Sequence, residues 1–341
     1  MSELASIVIV TYNSVDYIGK CIESIIKQDY PYEIIIVDNC SQDGTSTFIK
    51  DNFPSVKLIE SFENKGYGAG NNIGIKHAKG EYIVILNPDT IVGQSWLEEL
   101  IKPFNINNKV ITTSKILTYN GSIISACGIS NHITGLAFPR GFGCNPNTFM
   151  SQELVSGLSG CSFAIKKSDI IELGGFDENL FMYHDDVDLS WRALLNGYKI
   201  LYISKSVVKH SYDLHVSPNK IYHLEKGRYI VLRKYLSKKQ VILMFPSLLI
   251  TEILTFGYAL INGRKGVMNK VKAVKDGLTL RVDKIDGDKA HILIHLNYMI
   301  PVDQLTYNAL ERILKVLANY IFKLNYRLLR FSFEGVSVRC V

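Results

Sequence analysis

Two acidic clusters set the chemistry open to this chain. The first is Asp89, just past an apolar, partly β-branched run from Tyr82 to Leu86 that stops at Asn87-Pro88. Such a run reads as a strand buried on both faces, and the proline has no N–H to continue a ladder. In an open α/β sheet, ligands gather beyond the carboxyl ends of the strands. A carboxylate delivered there can hold a metal ion against a diphosphate. The competing reading makes Asp89 the cap of a helix beginning near Thr90. The second cluster is Asp185, Asp186 and Asp188, flanked by Tyr183, His184 and Trp191. Leu189, Arg192, Ala193 and Leu195 imply a helix from about Asp186, whose acidic start would ordinarily be caps and dipole partners. Crowded like charges beside aromatics also raise a carboxyl pKa, which suits a general base.

The elements that must carry these residues alternate. Ser6 to Val10 reads as a first strand ending in Thr11-Tyr12-Asn13-Ser14, with Asn13 or Ser14 capping a helix from about Val15 to Gln28. Tyr32 to Val37 is a second strand ending in Asp38-Asn39, and a turn at Ser41 to Thr45 opens another helix. Val56 to Ile59 is a short third strand. A glycine-rich loop from Asn64 to Asn72 runs into a helix ending near Lys79, before the Tyr82 strand. This order means βαβ units and a mainly parallel sheet. Four polar strand ends on one edge, with a loop that brings backbone N–H groups near an anion, point to a nucleotide site. The loop is neither the dinucleotide fingerprint nor a P-loop, because its spacing differs and no Gly-Lys-Ser/Thr follows. From Val110 to about Phe149 the pattern loosens and reads as a variable loop region with short β-like pieces. Val155 to Ile165 reads as a glycine-rich turn and a strand.

Composition bounds the rest. The chain has 341 residues, 47% of them hydrophobic and 21% charged, enough for a sizeable core and against disorder. Cysteines 21, 40, 127, 144, 161 and 340 show no zinc-ligand spacing and read as reduced, mostly buried thiols of a cytosolic setting. No signal peptide is expected at the N-terminus. Charge is uneven: residues 1–198 hold 14 Lys+Arg and 22 Asp+Glu, whereas residues 199–284 hold 17 and 5. A basic segment rich in Leu and Ile expects an anionic membrane surface as partner, not nucleic acid.

Six stretches taken in order resemble family 2 glycosyltransferases of the GT-A fold, specifically the rhamnosyltransferase-like branch. They are SIVIVTYNS, IIIVDNCSQDGT, ENKGYGAGNNIGI, YIVILNPDT, GGFDENLFMYHDDVDLSWR and KHSYDLH, spread over roughly residues 5–215. The resemblance implies an α/β fold of GT-A type, a mainly parallel sheet flanked by helices. A Rossmann-like nucleotide-sugar half would occupy about 1–110 and an acceptor half about 111–215. Residues 216–341 would form a basic, mostly helical C-terminal appendage for membrane docking or oligomerisation.

The same resemblance assigns roles. Thr11, Tyr12 and Asn13 would line the nucleotide, and Asp38 would bond the pyrimidine base. Asn64, Gly66 and Asn71 would lie near ribose and diphosphate, with Asn87 and Arg192 counted among the nucleotide-sugar residues. Asp89 and His210 would serve a divalent cation, Mg²⁺ or Mn²⁺. Asp186 would be the base, with Asp185 the other member of the pair. Two departures stand out. Asn87 replaces the first carboxylate of the family's metal motif, which predicts a loosely held metal, and Asp185 replaces a glutamate.

The implied activity is an inverting transfer from a UDP- or dTDP-sugar, dTDP-rhamnose among them, to a hydroxyl of a glycan or lipid-linked acceptor. Such products belong to cell-surface polysaccharide or glycoprotein glycans. The alternatives are a sugar-nucleotide nucleotidyltransferase and a non-catalytic, membrane-bound nucleotide-sugar scaffold. Gln240 to Asn262 is long enough to span a bilayer, but Pro246 and Glu252 within it favour a broken, interfacial helix pair; a core helix is the plainer reading. Leu305 to Phe331 carries a second apolar stripe at helical spacing. The expectation is a peripheral protein on the inner face of the cell membrane, with a span at 240–262 and a homo-oligomer left open.

Overall fold

In the computed structural model, residues 3–106, 109–211, 217–285, 290–304, 306 and 308–337 are described, without the side chains of 290, 291 and 331–337. The end of the KHSYDLH stretch, 212–215, lies outside them. The chain forms two compact units. One comprises 1–129 and 139–214, and the other 130–138 and 215–341.

The first unit opens with strand β1 (Ala5–Thr11), helix α1 (Val15–Ile25), β2 (Tyr32–Asp38), α2 (Thr45–Asn52), β3 (Lys57–Glu60), α3 (Tyr67–His77) and β4 (Tyr82–Leu86). It continues with β5 (Thr90–Val92), α4 (Trp96–Ile101), β6 (Val110–Thr118), β7 (Ile124–Cys127), β10 (Glu153–Leu154), β11 (Ser162–Lys166), α5 (Lys167–Glu172), α6 (Asp185–Leu195) and β12 (Lys199–His210), while β8 (Ile129–Asn131) and β9 (Ala137–Pro139) fall mostly in the second unit. The main sheet runs β10-β12-β6-β11-β4-β1-β2-β3, and β8 and β9 pair as a separate ribbon. β4, β1, β2 and β3 are parallel, so their carboxyl ends share one edge. β11 is antiparallel to both β4 and β6, and β12 returns parallel to β6. The fold is the expected α/β sheet flanked by helices, parallel in its first half and mixed in its second.

Apolar strands explain the first half. Ile7, Val8, Ile9, Ile35, Ile36, Ile83 and Val84 are fully buried, as strands covered on both faces require. α3 packs on β1 through glycines. A Cβ at Gly74 would come 2.2 Å from Val8 Cγ1, and one at Gly70 would come 2.6 Å from Val10 Cγ1. α1 ends at Ile25, three residues earlier than the pattern predicts. Its cap position is Ser14, and Asp43 Oδ2 accepts from Val15 N at 3.1 Å in place of a local cap bond.

Two expectations are corrected. Thr90 begins a strand and not a helix, so Asp89 caps nothing there. The β-branched run Thr90-Ile91-Val92 suits a pleated surface, and it pairs antiparallel with β12, placing Thr90 opposite His210. Residues 110–118 are no loop either, but a nine-residue strand in mid-sheet with eight positions buried. Its polar centre hides the pattern, because each hydroxyl finds a buried partner. Thr112 donates to Leu100 O at 2.8 Å, and Ser114 Oγ lies 2.8 Å from Ser162 Oγ and 3.2 Å from Trp96 Nε1. β12 carries an irregularity: Ile203 pairs with Ser114, but the next pair is Val207 with Lys115.

The second unit contains α7 (Pro218–Tyr235), α8 (Lys238–Leu243), α9 (Phe245–Ile261), α10 (Gly263–Thr279), α11 (Ala290–Ile294) and α12 (Ala309–Ser337). The 240–262 stretch is broken as expected, between α8 and α9, with Pro246 in the first turn of α9 where its missing N–H costs nothing. No helix among the described residues is long and apolar enough to cross a membrane. A buried ion network ties α7, α9 and α10 together. Arg228 pairs with Glu225 at 2.7 Å and with Glu252; Lys270 pairs with Glu225 and, at 2.9 Å, with Glu252.

Candidate active site

Asn87, Asp89 and His210 come together at the carboxyl end of β4. His210 Nε2 lies 3.1 Å from Asp89 Oδ1 and 3.4 Å from Asn87 Nδ2. The β5–β12 pairing brings the histidine across, and Ser211 N donates to Asp89 O at 3.0 Å. Burial disfavours the charged imidazole, but Cys161 and Asp89 beside it outweigh that and push its pKa up to about 10. Protonated, the ring donates to Asp89; neutral, it offers a nitrogen lone pair.

Asn87 Oδ1 is buried and accepts no hydrogen bond, while the Asp89 carboxylate is partly exposed. These are two hard oxygen donors, one of them unsatisfied, of the kind Mg²⁺ or Mn²⁺ takes while keeping water and phosphate oxygens in its other positions. The residues therefore fit such a cation. Among the described residues, no group of three or more His, Cys, Asp or Glu side chains forms a self-sufficient cage.

The acidic pair sits at the start of α6. Tyr183 and His184 precede it with φ of 62° and 63°, two consecutive left-handed residues that are not glycine. Such backbone is costly and clusters at functional sites. Asp186 is partly exposed; its Oδ2 accepts from Gly160 N at 3.2 Å and its Oδ1 from Val187 N at 2.9 Å. Desolvation raises its pKa above the usual carboxylate range, against those two N–H groups. Asp185 is buried, and its Oδ1 has no partner. Burial first, and the Asp186 charge second, push its pKa well above that range.

The segment Gly160-Cys161 joins the two corners. Gly160 N donates to Asp186, and the next carbonyl, Cys161 O, accepts from Asn87 N at 3.0 Å. Tyr67, at the start of α3, donates its hydroxyl to Gly160 O at 2.5 Å. Tyr67 was not among the predicted site residues, and nothing in its spacing separates it from a packing aromatic.

The glycine-rich loop closes on the same place. Gly66 has φ +91°, and a Cβ there would lie 2.1 Å from Phe181 O. Asn64 Oδ1 accepts from Gly66 N at 2.9 Å, and Asn39 Nδ2 donates to Gly66 O at 2.9 Å. Asn71 donates to Tyr67 O, leaving its Oδ1 buried and unpartnered, as is Asn39 Oδ1. A Cβ at Gly68 would lie 3.0 Å from Asp185 Oδ1, so the loop also borders the acidic pair.

The first strand ends are knit to each other. Asp38 Oδ1 accepts from Thr11 Oγ1 at 2.8 Å and from Ser41 Oγ at 2.5 Å, and its Oδ2 accepts from Ser41 N. Asn13, with φ 51°, accepts from Gln42 N at 2.8 Å. Tyr12 is exposed. Arg192 is drawn elsewhere, donating to Asp188 at 2.7 Å and to Leu173 O at 2.6 Å, so the structure does not gather it with the other predicted residues.

The chain is similar in sequence to known proteins. A poly-β-1,6-N-acetyl-D-glucosamine synthase of Staphylococcus aureus (strain MSSA476) is 29% identical over 195 residues, 56% of this chain and 46% of that one. The chain thus spans about half the length of that relative. The N-acetylglucosaminyl-diphospho-decaprenol L-rhamnosyltransferase of Mycobacterium tuberculosis (strain CDC 1551 / Oshkosh) is 26% identical over 239 residues, 62% of this chain and 76% of that one. Among solved structures, GalNAc-T7 with UDP, GalNAc and Mn²⁺ superposes with a TM-score of 0.59 at 19% identity, covering 80% of this chain and 55% of that one, and shares the fold. Residues 6–174 match glycosyl transferase family 2, and over those residues the chain belongs to that family.

Proposed function

We propose that the protein is an inverting glycosyltransferase of cell-surface polysaccharide synthesis. It would move a sugar from a UDP- or dTDP-sugar, dTDP-rhamnose among them, to a hydroxyl of a lipid-linked or glycan acceptor. The family match and the two relatives' printed activities support the class. The observation that carries the mechanism is the Gly160-Cys161 link, whose two adjacent residues bond Asp186 and Asn87.

In this reading Asp186 takes the proton of the acceptor hydroxyl, whose oxygen bonds to the anomeric carbon as the bond to the diphosphate oxygen breaks on the opposite face. One attack from the far face inverts the configuration, and the nucleoside diphosphate leaves. A general base of this kind contributes about 10²–10⁴-fold. Asp186 suits the role because it is the accessible member of the pair. Asp185, buried and raised further, keeps its proton and leaves its neighbour the charge. Asn87 and Asp89 would hold Mg²⁺ or Mn²⁺, with His210 orienting Asp89. Bound there, the cation would neutralise charge building on the leaving diphosphate. The unpartnered oxygens of Asn39 and Asn71 supply acceptors for donor hydroxyl or amide protons, since buried acceptors without a partner are costly.

Asp186→Asn tests the assignment. Transfer is expected to fall at least ~100-fold with nucleotide-sugar affinity kept. Undiminished turnover would remove Asp186 from the role.

A further inference from the structure

α9 is inside out for a helix bathed in water. Its most buried positions are small or polar, Ser247, Thr251 and Ala259, and only Ile250 and Leu254 pack apolar side chains, partly buried, against the cluster of Ile300, Ala318 and Phe322. Ser247 donates to Asn325 Oδ1 at 2.5 Å, and Thr251 to Thr134 Oγ1 at 3.0 Å. Its outward stripe is Phe245, Leu249, Ile253, Phe256 and Leu260, exposed between 36% (Phe256) and 64% (Leu260). Steps of three and four residues put all five on one helix face.

α12 repeats the inversion in part. Asn319 and Asn325 are buried, and Asn319 bonds both backbone groups of Ile300. Leu317, Tyr320, Leu324 and Leu328 are each more than half exposed. A surface helix of a water-soluble unit turns its apolar stripe inward, and contiguous outward apolar faces mark a contact surface.

Charge selects the occupant. Lys238 and Lys239 open α8, Arg264 and Lys265 follow α9, and Lys323, Arg327 and Arg330 stud α12, all of them exposed. Residues 215–341 hold 21 Lys+Arg against 9 Asp+Glu. A second copy would set like charge against like, whereas anionic phosphates attract this rim. No described helix can cross a bilayer, so the geometry is that of helices lying in the interface plane.

We propose that the outward faces of α9 and α12 dock the protein on an anionic phospholipid surface. The apolar side chains enter the headgroup–acyl boundary, and the flanking cations meet lipid phosphates. This deepens the reading of a lipid-linked acceptor, but it stands on the second unit alone.

The test is co-sedimentation of the full chain with phosphatidylcholine vesicles, with and without about one phosphatidylglycerol in three. The mass in solution and nucleotide release with a water-soluble acceptor are measured in parallel. Binding is expected to be at least ~10-fold tighter to the anionic vesicles and to weaken with salt. Leu249→Glu with Ile253→Glu should lower it at least ~10-fold, with melting temperature and nucleotide release unchanged, since both side chains are exposed. Arg264→Glu with Lys265→Glu should erase the preference for anionic lipid. The proposal is overturned if the protein stays in the supernatant, binds neutral vesicles equally, or keeps its binding in the double glutamate variant. It is overturned equally if the wild type is a dimer that this variant splits, for the face is then an interface between copies. Loss of nucleotide release in the wild type would count against the transferase and leave docking intact.

Discussion

The Tyr67 hydroxyl and the Gly160 carbonyl, 93 residues apart in the chain, meet at 2.5 Å. Through Gly160 N the contact reaches Asp186, so one residue of α3 braces the segment that bonds the proposed base. Tyr67→Phe keeps the edge-on packing of the ring against Phe176, 5.8 Å between centroids, and removes only the hydroxyl. We expect kcat to fall about tenfold with the donor KM little changed, and stability to fall by about 1 kcal/mol. A lower kcat with an unchanged pH profile would mark positioning and not proton transfer.

Asp185 makes stability depend on pH. Its folded carboxyl holds a proton to higher pH than the unfolded chain does. Stability is therefore lost progressively as pH rises above the ordinary Asp value of about 4. Asp185→Asn, uncharged throughout, should melt several degrees above wild type near pH ~7 and lose that advantage toward pH ~4. Melting curves across that range check the sign.

Glu225 has the opposite sign. Burial alone would raise its pKa, but Arg228 and Lys270 hold it at about 2. Its contribution is complete above the unfolded Glu value of about 4.3 and fades as pH falls toward 2. Lys270→Met removes one partner of a buried network and should cost about 3–5 kcal/mol by urea denaturation.

Metal affinity should follow the donor. With one carboxylate and one amide oxygen at the corner, Mn²⁺ should bind weakly to the protein alone and at least ~10-fold more tightly with UDP present. Titration calorimetry with and without UDP measures this. Asp89→Asn should raise the Mn²⁺ needed for half-maximal transfer by about tenfold or more. Tight binding by the nucleotide-free protein would contradict the weak corner.

Gly66→Ala meets both a left-handed φ and the Phe181 carbonyl. A destabilisation of at least ~2 kcal/mol is expected, along with loss of thermal stabilisation by UDP. Gly143→Ala is a control, because it shares a positive φ of 81° but has nothing near its Cβ.

The parallel half was legible because its strands are continuous Ile/Val runs and its turns are polar. Asp89, His210 and the Asp185-Asp186 pair could be placed through motif order, and the structure brings Asn87, Asp89 and His210 into one corner. β6 was not legible, since Thr112, Thr113 and Ser114 look like solvent-facing residues until Trp96, Leu100 and Ser162 are seen to bond them. β12 was hidden by its lysines: Lys199, Lys205 and Lys209 are exposed along an otherwise largely buried strand and read as a basic surface segment. The left-handed Tyr183-His184 pair carries no glycine to announce it.

The interruption in β12 has a consequence for His210. Between Ile203 and Val207 this strand advances four residues while β6 advances one. Side chains alternate faces along a strand, so an odd excess reverses which side of the sheet all later residues meet. Ser204 and Ser206 anchor the excess by donating to Met150 O at 2.7 Å and Trp96 O at 2.9 Å. The three extra residues are thus taken up locally, so that the ladder resumes with Val208 opposite Ile116 and His210 opposite both Thr118 and Thr90, which keeps the imidazole beside Asp89.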